Sequence, residues 1–132
     1  MDYKKSLEET KKALNELREE NKNIPIIVEG AKDINALRKL DITGKIIRVN
    51  RGQSLSDFCD MIARRYMAII LLLDWDRKGG RLCFIIKKNL EGRVKCNTRY
   101  RELFAKKSTI RTVEGLPSWL ETLEEKIDLT LP

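Results

Sequence analysis

Histidine is absent from this 132-residue chain. Its absence excludes Ser-His-Asp and Cys-His catalysis in their usual forms, and zinc sites built on imidazole. Any chemistry the chain performs falls to carboxylates, amines and guanidiniums. Cysteine is scarce: Cys59, Cys83 and Cys96 are odd in number and form no C-x-x-C pair. That spacing supports neither a zinc ribbon nor a redox motif. Cys59 and Cys83 fall on apolar faces and read as small core residues, a pattern suited to a reducing, cytoplasmic compartment. Long hydrophobic runs are also missing. The longest, Ala68 to Leu73, is far too short to span a bilayer, and the N-terminus is too charged for a signal peptide. The expectation is a cytoplasmic protein with no membrane segment.

What the chain has in quantity is charge. Lys and Arg number 27 against 20 Asp and Glu, leaving a formal net charge of +7. Such a balance favours acidic partners, of which nucleic acid, RNA or DNA, is the usual one. The alternative is a thermophile-style surface rich in Lys and Glu that needs no polyanion. With 42% hydrophobic residues, the length suits one compact domain with a real core and room for an appendage.

Residues 4–21 lack Gly and Pro and read as a highly charged helix with Leu7, Leu14 and Leu17 on one stripe. A stripe that narrow either packs on its own domain or seeds a homodimer. Pro25 marks a boundary, dividing the chain into a helical segment 1–24 and a domain 25–132. From there strand and helix alternate. Ile26 to Glu29 reads as a buried strand, Lys32 to Lys39 as a helix, and Ile46 to Val49 as a second strand. Ser54 caps a helix with Leu55, Phe58, Cys59 and Ile62 inward. Ile69 to Leu73 is the most apolar strand, of the kind a parallel sheet covered on both faces requires. Residues 79–90 have β-propensity at Cys83 to Ile86, yet Leu82, Ile85, Ile86 and Leu90 keep helical spacing and predict a helix. Val94 to Cys96 predicts a short strand, Tyr100 to Lys107 a basic helix, Ile110 to Val113 a further strand, and Pro117 the start of a last helix. The order βαβαβα predicts a three-layer α/β fold around a mostly parallel sheet of four to five strands.

Two of these strands end on acids, Ile26-Ile27-Val28-Glu29-Gly30 and Leu71-Leu72-Leu73-Asp74-Trp75-Asp76. In a parallel sheet both release their carboxylates at the same edge, where open α/β folds place ligands. Asp74 and Asp76 sit about 6–7 Å apart along the chain. Asp76 could simply cap the helix that follows, but that leaves Asp74 without a task. Glu29, Asp74 and Asp76 repel one another unless a positive group joins them, and a hard divalent cation with oxygen ligands answers that need.

Val28-Glu29-Gly30-Ala31-Lys32-Asp33 followed by Leu73-Asp74-Trp75-Asp76-Arg77-Lys78-Gly79-Gly80 resembles the Toprim domain. That domain is shared by topoisomerases of types IA and II, bacterial-type primases, OLD-family nucleases, RecR repair proteins and ribosomal-RNA maturation nucleases. A glycine after the second strand, in Asn50-Arg51-Gly52-Gln53, adds to the match, which runs over nearly everything from Pro25 onward. The length is most similar to that of small stand-alone archaeal Toprim proteins. The resemblance implies a Rossmann-like Toprim fold. It makes Glu29 a general acid/base that can also touch metal, and Asp74 and Asp76 ligands of one or two Mg²⁺ ions, with Mn²⁺ an alternative. It makes Gly30 the glycine of a tight turn, with Gly52 a second turn glycine.

Lys32, Arg51, Arg77, Lys78 and Arg81 surround these acids in loops or first helical turns, where they could hold phosphates or be ordinary solvated charge. A second basic run, Arg93, Lys95, Arg99, Arg101, Lys106 and Lys107, suits a backbone-binding face. Tyr100 within it either stacks on a base or packs. Larger members of the family carry parts absent here. Tyr3, Tyr66 and Tyr100 lack the context of a topoisomerase nucleophile. No Walker motif accompanies the domain, and the length leaves no room for primase modules. The reading is Mg²⁺-dependent phosphodiester chemistry by a small nuclease. The alternative is a nucleic-acid-binding adaptor that works with a protein partner.

Overall fold

The computed structural model describes residues 2–49 and 52–130, apart from the side chain of Thr130. Helix α1 (Tyr3–Asn21) precedes β1 (Ile26–Val28), α2 (Ala31–Lys39), β2 (Ile46–Arg48), α3 (Leu55–Arg65) and β3 (Ala68–Leu71). Then follow α4 (Arg77–Leu90), β4 (Lys95–Asn97), α5 (Arg99–Lys107) and α6 (Leu116–Thr130). The four strands pair in the order β2-β1-β3-β4, every pair parallel, with Ile27 opposite Ile47 on one side and Leu71 on the other.

Strand alternation decides which residue enters which layer. Ile26 and Val28 of β1, Ile46 of β2 and Ile70 and Leu72 on the β3 strand face a core completed by Ala13, Leu14, Leu17, Leu37, Tyr100 and Phe104. Ile27, Ile69, Leu71 and Leu73 face the other way, onto Phe58, Cys59, Ile62, Cys83, Ile86 and Leu90. So α1, α2, α5 and α6 cover one face, and α3 and α4 the other. The chain steps from β1 outward to β2, then crosses back over β1 to β3. Crossovers of one hand put α2 and α3 on opposite faces when that direction reverses. The reversal leaves a crevice between β1 and β3 at their carboxyl ends.

The boundaries follow local chemistry. Ser54 caps α3 by accepting the Asp57 backbone N–H at 3.0 Å, and Asp76 caps α4 by accepting that of Gly79 at 2.7 Å. The helix expected over 79–90 forms and begins two residues earlier, at Arg77. The apolar stripe of α1 is spent inside the molecule: Leu14 and Leu17 are fully buried against α5 and α6. Leu14 and Leu17 are therefore not free to seed a homodimer.

One expected element does not form. Residues 110–113 are not a strand and pair with no edge of the sheet. Their backbone is used instead to brace the acid turn after β3. The Trp75 backbone N–H donates to the Arg111 carbonyl at 2.9 Å, and the Trp75 indole Nε1–H to the Ile110 carbonyl at 2.6 Å. Val113 is fully buried, so the segment gains burial and backbone hydrogen bonds without joining the ladder.

Candidate active site at the carboxyl edge of the sheet

Val28 is the last buried residue of β1, and the next side chain, Glu29, emerges at the crevice half-buried. Burial pushes its carboxyl above the usual range. A hydrogen bond from the Asp74 backbone opposes the shift, and the charges of Asp76 and Asp33 add to it. Its Oε1 is buried and accepts no hydrogen bond. Gly30 caps α2 with extended backbone (φ −152°), so the turn needs no left-handed residue. A Cβ at Gly30 would meet nothing within 4 Å. The absent side chain keeps open the mouth of a cleft of about 590 Å³ lined by Glu29, Gly30, Lys32, Asp33, Arg48 and Asp74, among others.

Asp74 follows the buried Leu73 and carries the largest shift of these acids, its pKa raised to about 6. Burial is the main cause. The Val113 backbone N–H, donating to Oδ1 at 2.8 Å, pulls the other way, and the neighbouring charges of Asp33, Glu29 and Asp76 push it up. Four carboxylates, Asp74, Glu29, Asp76 and Asp33, thus sense one another around the ends of two adjacent strands. Asp33, 7% exposed, is the structural one: its Oδ2 accepts the Gly30 backbone N–H at 3.1 Å and closes the first turn of α2. Glu114, from the loop before α6, completes the acidic side of the cleft.

The predicted residues are not all gathered alike. Glu29, Gly30, Lys32, Gly52 and Asp74 line the cleft. Asp76 lies within electrostatic reach of Glu29 and Asp74, but one of its oxygens is committed to capping α4. Among the described residues, no three acids or cysteines stand ready as a complete metal-ligand set. Lys78 is near enough to Glu29 to favour its charged form, while Arg77 and Arg81 are exposed on α4. Arg51 and the preceding Asn50 lie outside the described residues.

The second basic run does not form one free face. Arg93 pairs with Asp60 at 2.9 Å, Arg99 with Glu16 and Glu20, and Lys107 with Glu9 at 3.0 Å. Tyr100 is 1% exposed and donates its hydroxyl to Glu20 at 2.7 Å. It packs, and has no face to offer a base.

Two arginines complete the site: Arg48, which the sequence did not single out, and Arg101, which it placed only in the second basic run. Arg48 lines the cleft from the end of β2. Arg101 reaches from α5 to donate to the carbonyls of Leu73 (3.2 Å) and Asp74 (2.9 Å), holding the strand end that presents Asp74. Nothing in local sequence marks it, because the contact joins residues 27 apart. Arg101→Met leaves those carbonyls without their charged donor. It is expected to cost about 1–3 kcal/mol, read as a lower urea midpoint, with Arg101→Lys recovering part of the loss.

Residues 24–106 match the Toprim domain. The chain belongs to the Toprim family. The chain is similar to a UPF0292 protein of Thermoplasma volcanium, 40% identical over 83% of this chain and 92% of that one. Another, from Methanocaldococcus jannaschii, is 34% identical over 81% of this chain and 86% of its own length. A solved structure of a protein from Aquifex aeolicus superposes with a TM-score of 0.68 at 27% identity, covering 79% of this chain and 94% of the other. The Toprim match begins at residue 24, just before β1, whereas α1 contributes Ala13, Leu14 and Leu17 to the same core as the sheet. Membership associates the chain with metal-dependent chemistry and nucleic acid in general terms. Among the described residues, no helix is long and apolar enough to cross a membrane.

Proposed function

We propose that this Toprim protein is a small Mg²⁺-dependent nuclease acting on nucleic-acid phosphodiesters at the Glu29–Asp74 cleft. The observation that carries the reading is the pairing of two partly buried acids, Glu29 and Asp74, at the switch point between β1 and β3. Both carboxyls are held above their usual range, and one Glu29 oxygen is buried with no donor. That donor set suits a hard divalent cation such as Mg²⁺ or Mn²⁺. Asp74 and Asp76 would hold it, with Glu29 beside them, and the unused oxygen of Asp76 remains free for the purpose. A bound cation would supply charge stabilisation to a phosphoryl oxygen and its leaving group.

The chain's own residues supply the rest. Glu29 takes or returns the proton in this reading, the role histidine fills in many hydrolases. Burial raises its affinity for that proton, which suits it to proton exchange nearer neutrality than a free carboxylate. Lys32 and Arg48, which line the cleft, and Lys78, whose charge reaches Glu29, would hold phosphate oxygens. The missing Cβ of Gly30 leaves room for a phosphodiester.

A second reading, a metal-retaining adaptor that binds nucleic acid beside a protein partner, is favoured by one observation. Asp74 Oδ1 and Asp76 Oδ1 already have backbone donors, so the acids do not converge unaided. Incubating the full chain with structured RNA and with single- and double-stranded DNA, with Mg²⁺ or Mn²⁺, separates the two. Cleavage that falls by about 10²-fold or more in Glu29→Gln supports the nuclease. Salt-sensitive binding with no cleavage of any of these, unchanged in Glu29→Gln, supports the adaptor.

A further inference from the structure

Outside α4, Lys11, Lys22, Arg93, Arg99 and Lys107 are held in internal ion pairs, several of them with acids of α1. Helix α4 is different: between Arg77 and Leu90 it carries five basic residues, Arg77, Lys78, Arg81, Lys87 and Lys88, and no acidic one. Arg77, Arg81, Phe84 and Lys88 follow one another at i, i+4, i+7 and i+11, which places them on a single stripe about 16 Å long. All four are exposed. Among the described residues, no ion pair or side-chain hydrogen bond holds Arg77, Arg81, Lys87 or Lys88.

Phe84 is the feature that surface charge does not explain. It is 67% exposed in the middle of this stripe, although the opposite face of α4 buries Cys83, Ile86 and Leu90 normally. Beside it lies a shallow depression of about 470 Å³ formed by Lys87, Lys88, Glu91, Val94 and Cys96, with Phe84 as its aromatic wall. An exposed aromatic ring flanked by unpaired cations matches the needs of an unpaired base and its phosphates. A duplex keeps its bases stacked inside and offers the ring nothing. The stripe also has a direction, because the capped N-terminus of α4 lies at the Glu29–Asp74 edge.

We propose that the outer face of α4 is a binding track for single-stranded nucleic acid. Phe84 stacks on a base, and Arg77, Arg81, Lys87 and Lys88 follow the backbone away from the cleft. Its direction rests on the nuclease reading; the binding does not.

The test is fluorescence anisotropy of a labelled twelve-nucleotide oligo(dT) with the full chain, in chelator so that no cleavage intervenes. Phe84→Ala is expected to weaken binding about tenfold and Phe84→Trp to restore it, while a duplex of the same length is bound no less well by Phe84→Ala. Lys87→Ser with Lys88→Ser is expected to flatten the dependence of log K on log salt by about 1.4. Because these side chains are exposed, circular dichroism melting should match the parent. Equal binding of oligo(dT) by Phe84→Ala and the parent overturns the track. So does Phe84-dependent sedimentation with phosphatidylserine vesicles in the absence of oligonucleotide binding. Because binding is read in chelator and cleavage only with Mg²⁺ or Mn²⁺, failure of the track and failure of the nuclease reading are distinguished.

Discussion

Gly79→Ala is expected to cost about 2–4 kcal/mol of folding stability, although alanine is the better helix former. A Cβ at Gly79 would stand 2.0 Å from the Asp74 carbonyl oxygen and 2.6 Å from its carbon. Both are backbone atoms, so no side chain can swing aside. The Asp74 carbonyl is held in place by Arg101 at 2.9 Å, and the Gly79 N–H is bound to Asp76 Oδ1. Either the first turn of α4 or the acid turn must move, and moving either one displaces the candidate ligands. Gly80→Ala provides the control. Its Cβ would meet only Arg101 Nη2 at 3.4 Å, an ordinary contact, so this change should be neutral or stabilising by about 0.5–1 kcal/mol. Urea unfolding of the two variants measures the contrast. Equal effects would mean that the close approach at Gly79 does not constrain the turn.

Asp74→Asn is expected to abolish divalent-dependent activity while making the metal-free protein more stable. The Asp74 carboxyl is raised from 3.8 to about 6, so the fold favours its protonated form. The stability this contributes is present in full below the unfolded value. It is lost as pH rises through about 6, and above that the ionised group weighs against folding. Asparagine removes the charge but keeps an oxygen for the Val113 N–H. The shift corresponds to about 3 kcal/mol before screening by the adjoining solvent, which leaves about 1–2 kcal/mol. In chelator, the gain of Asp74→Asn over the parent should therefore be near zero at pH 3.8, grow toward pH 6 and level off above it. Thermal melting across that range checks the sign. A site assembled for a cation would show this trade of stability for charge placement.

Much of this arrangement was legible in the sequence because its signals are local. Buried strands of aliphatic residues that stop at acids, with helices between them, are enough to predict a parallel sheet with Glu29 and Asp74 on one edge. Ser54 and Asp76 announce their caps. The helix over 79–90 was readable from spacing against its own β-propensity, though not its start at Arg77. What was not legible depends on long-range packing. Residues 110–113 have the composition of a strand, and only the tertiary fold shows that Trp75 and Asp74 draw them into a brace. Arg101, Arg48 and Glu114 join the site from distant elements with no motif to mark them. The same limit explains the second basic run: Arg99 and Lys107 look free until α1 supplies Glu16, Glu20 and Glu9 beside them.

The central claim is that Glu29 and Asp74 form one divalent-cation site. Calorimetric titration of Mn²⁺ into the full chain at pH 7, in parallel with Glu29→Gln and Asp74→Asn, tests it most directly. Saturable binding to the parent is expected, weakened in Glu29→Gln and lost in Asp74→Asn. Saturable binding that is identical in all three proteins, or absent from the parent, would contradict it.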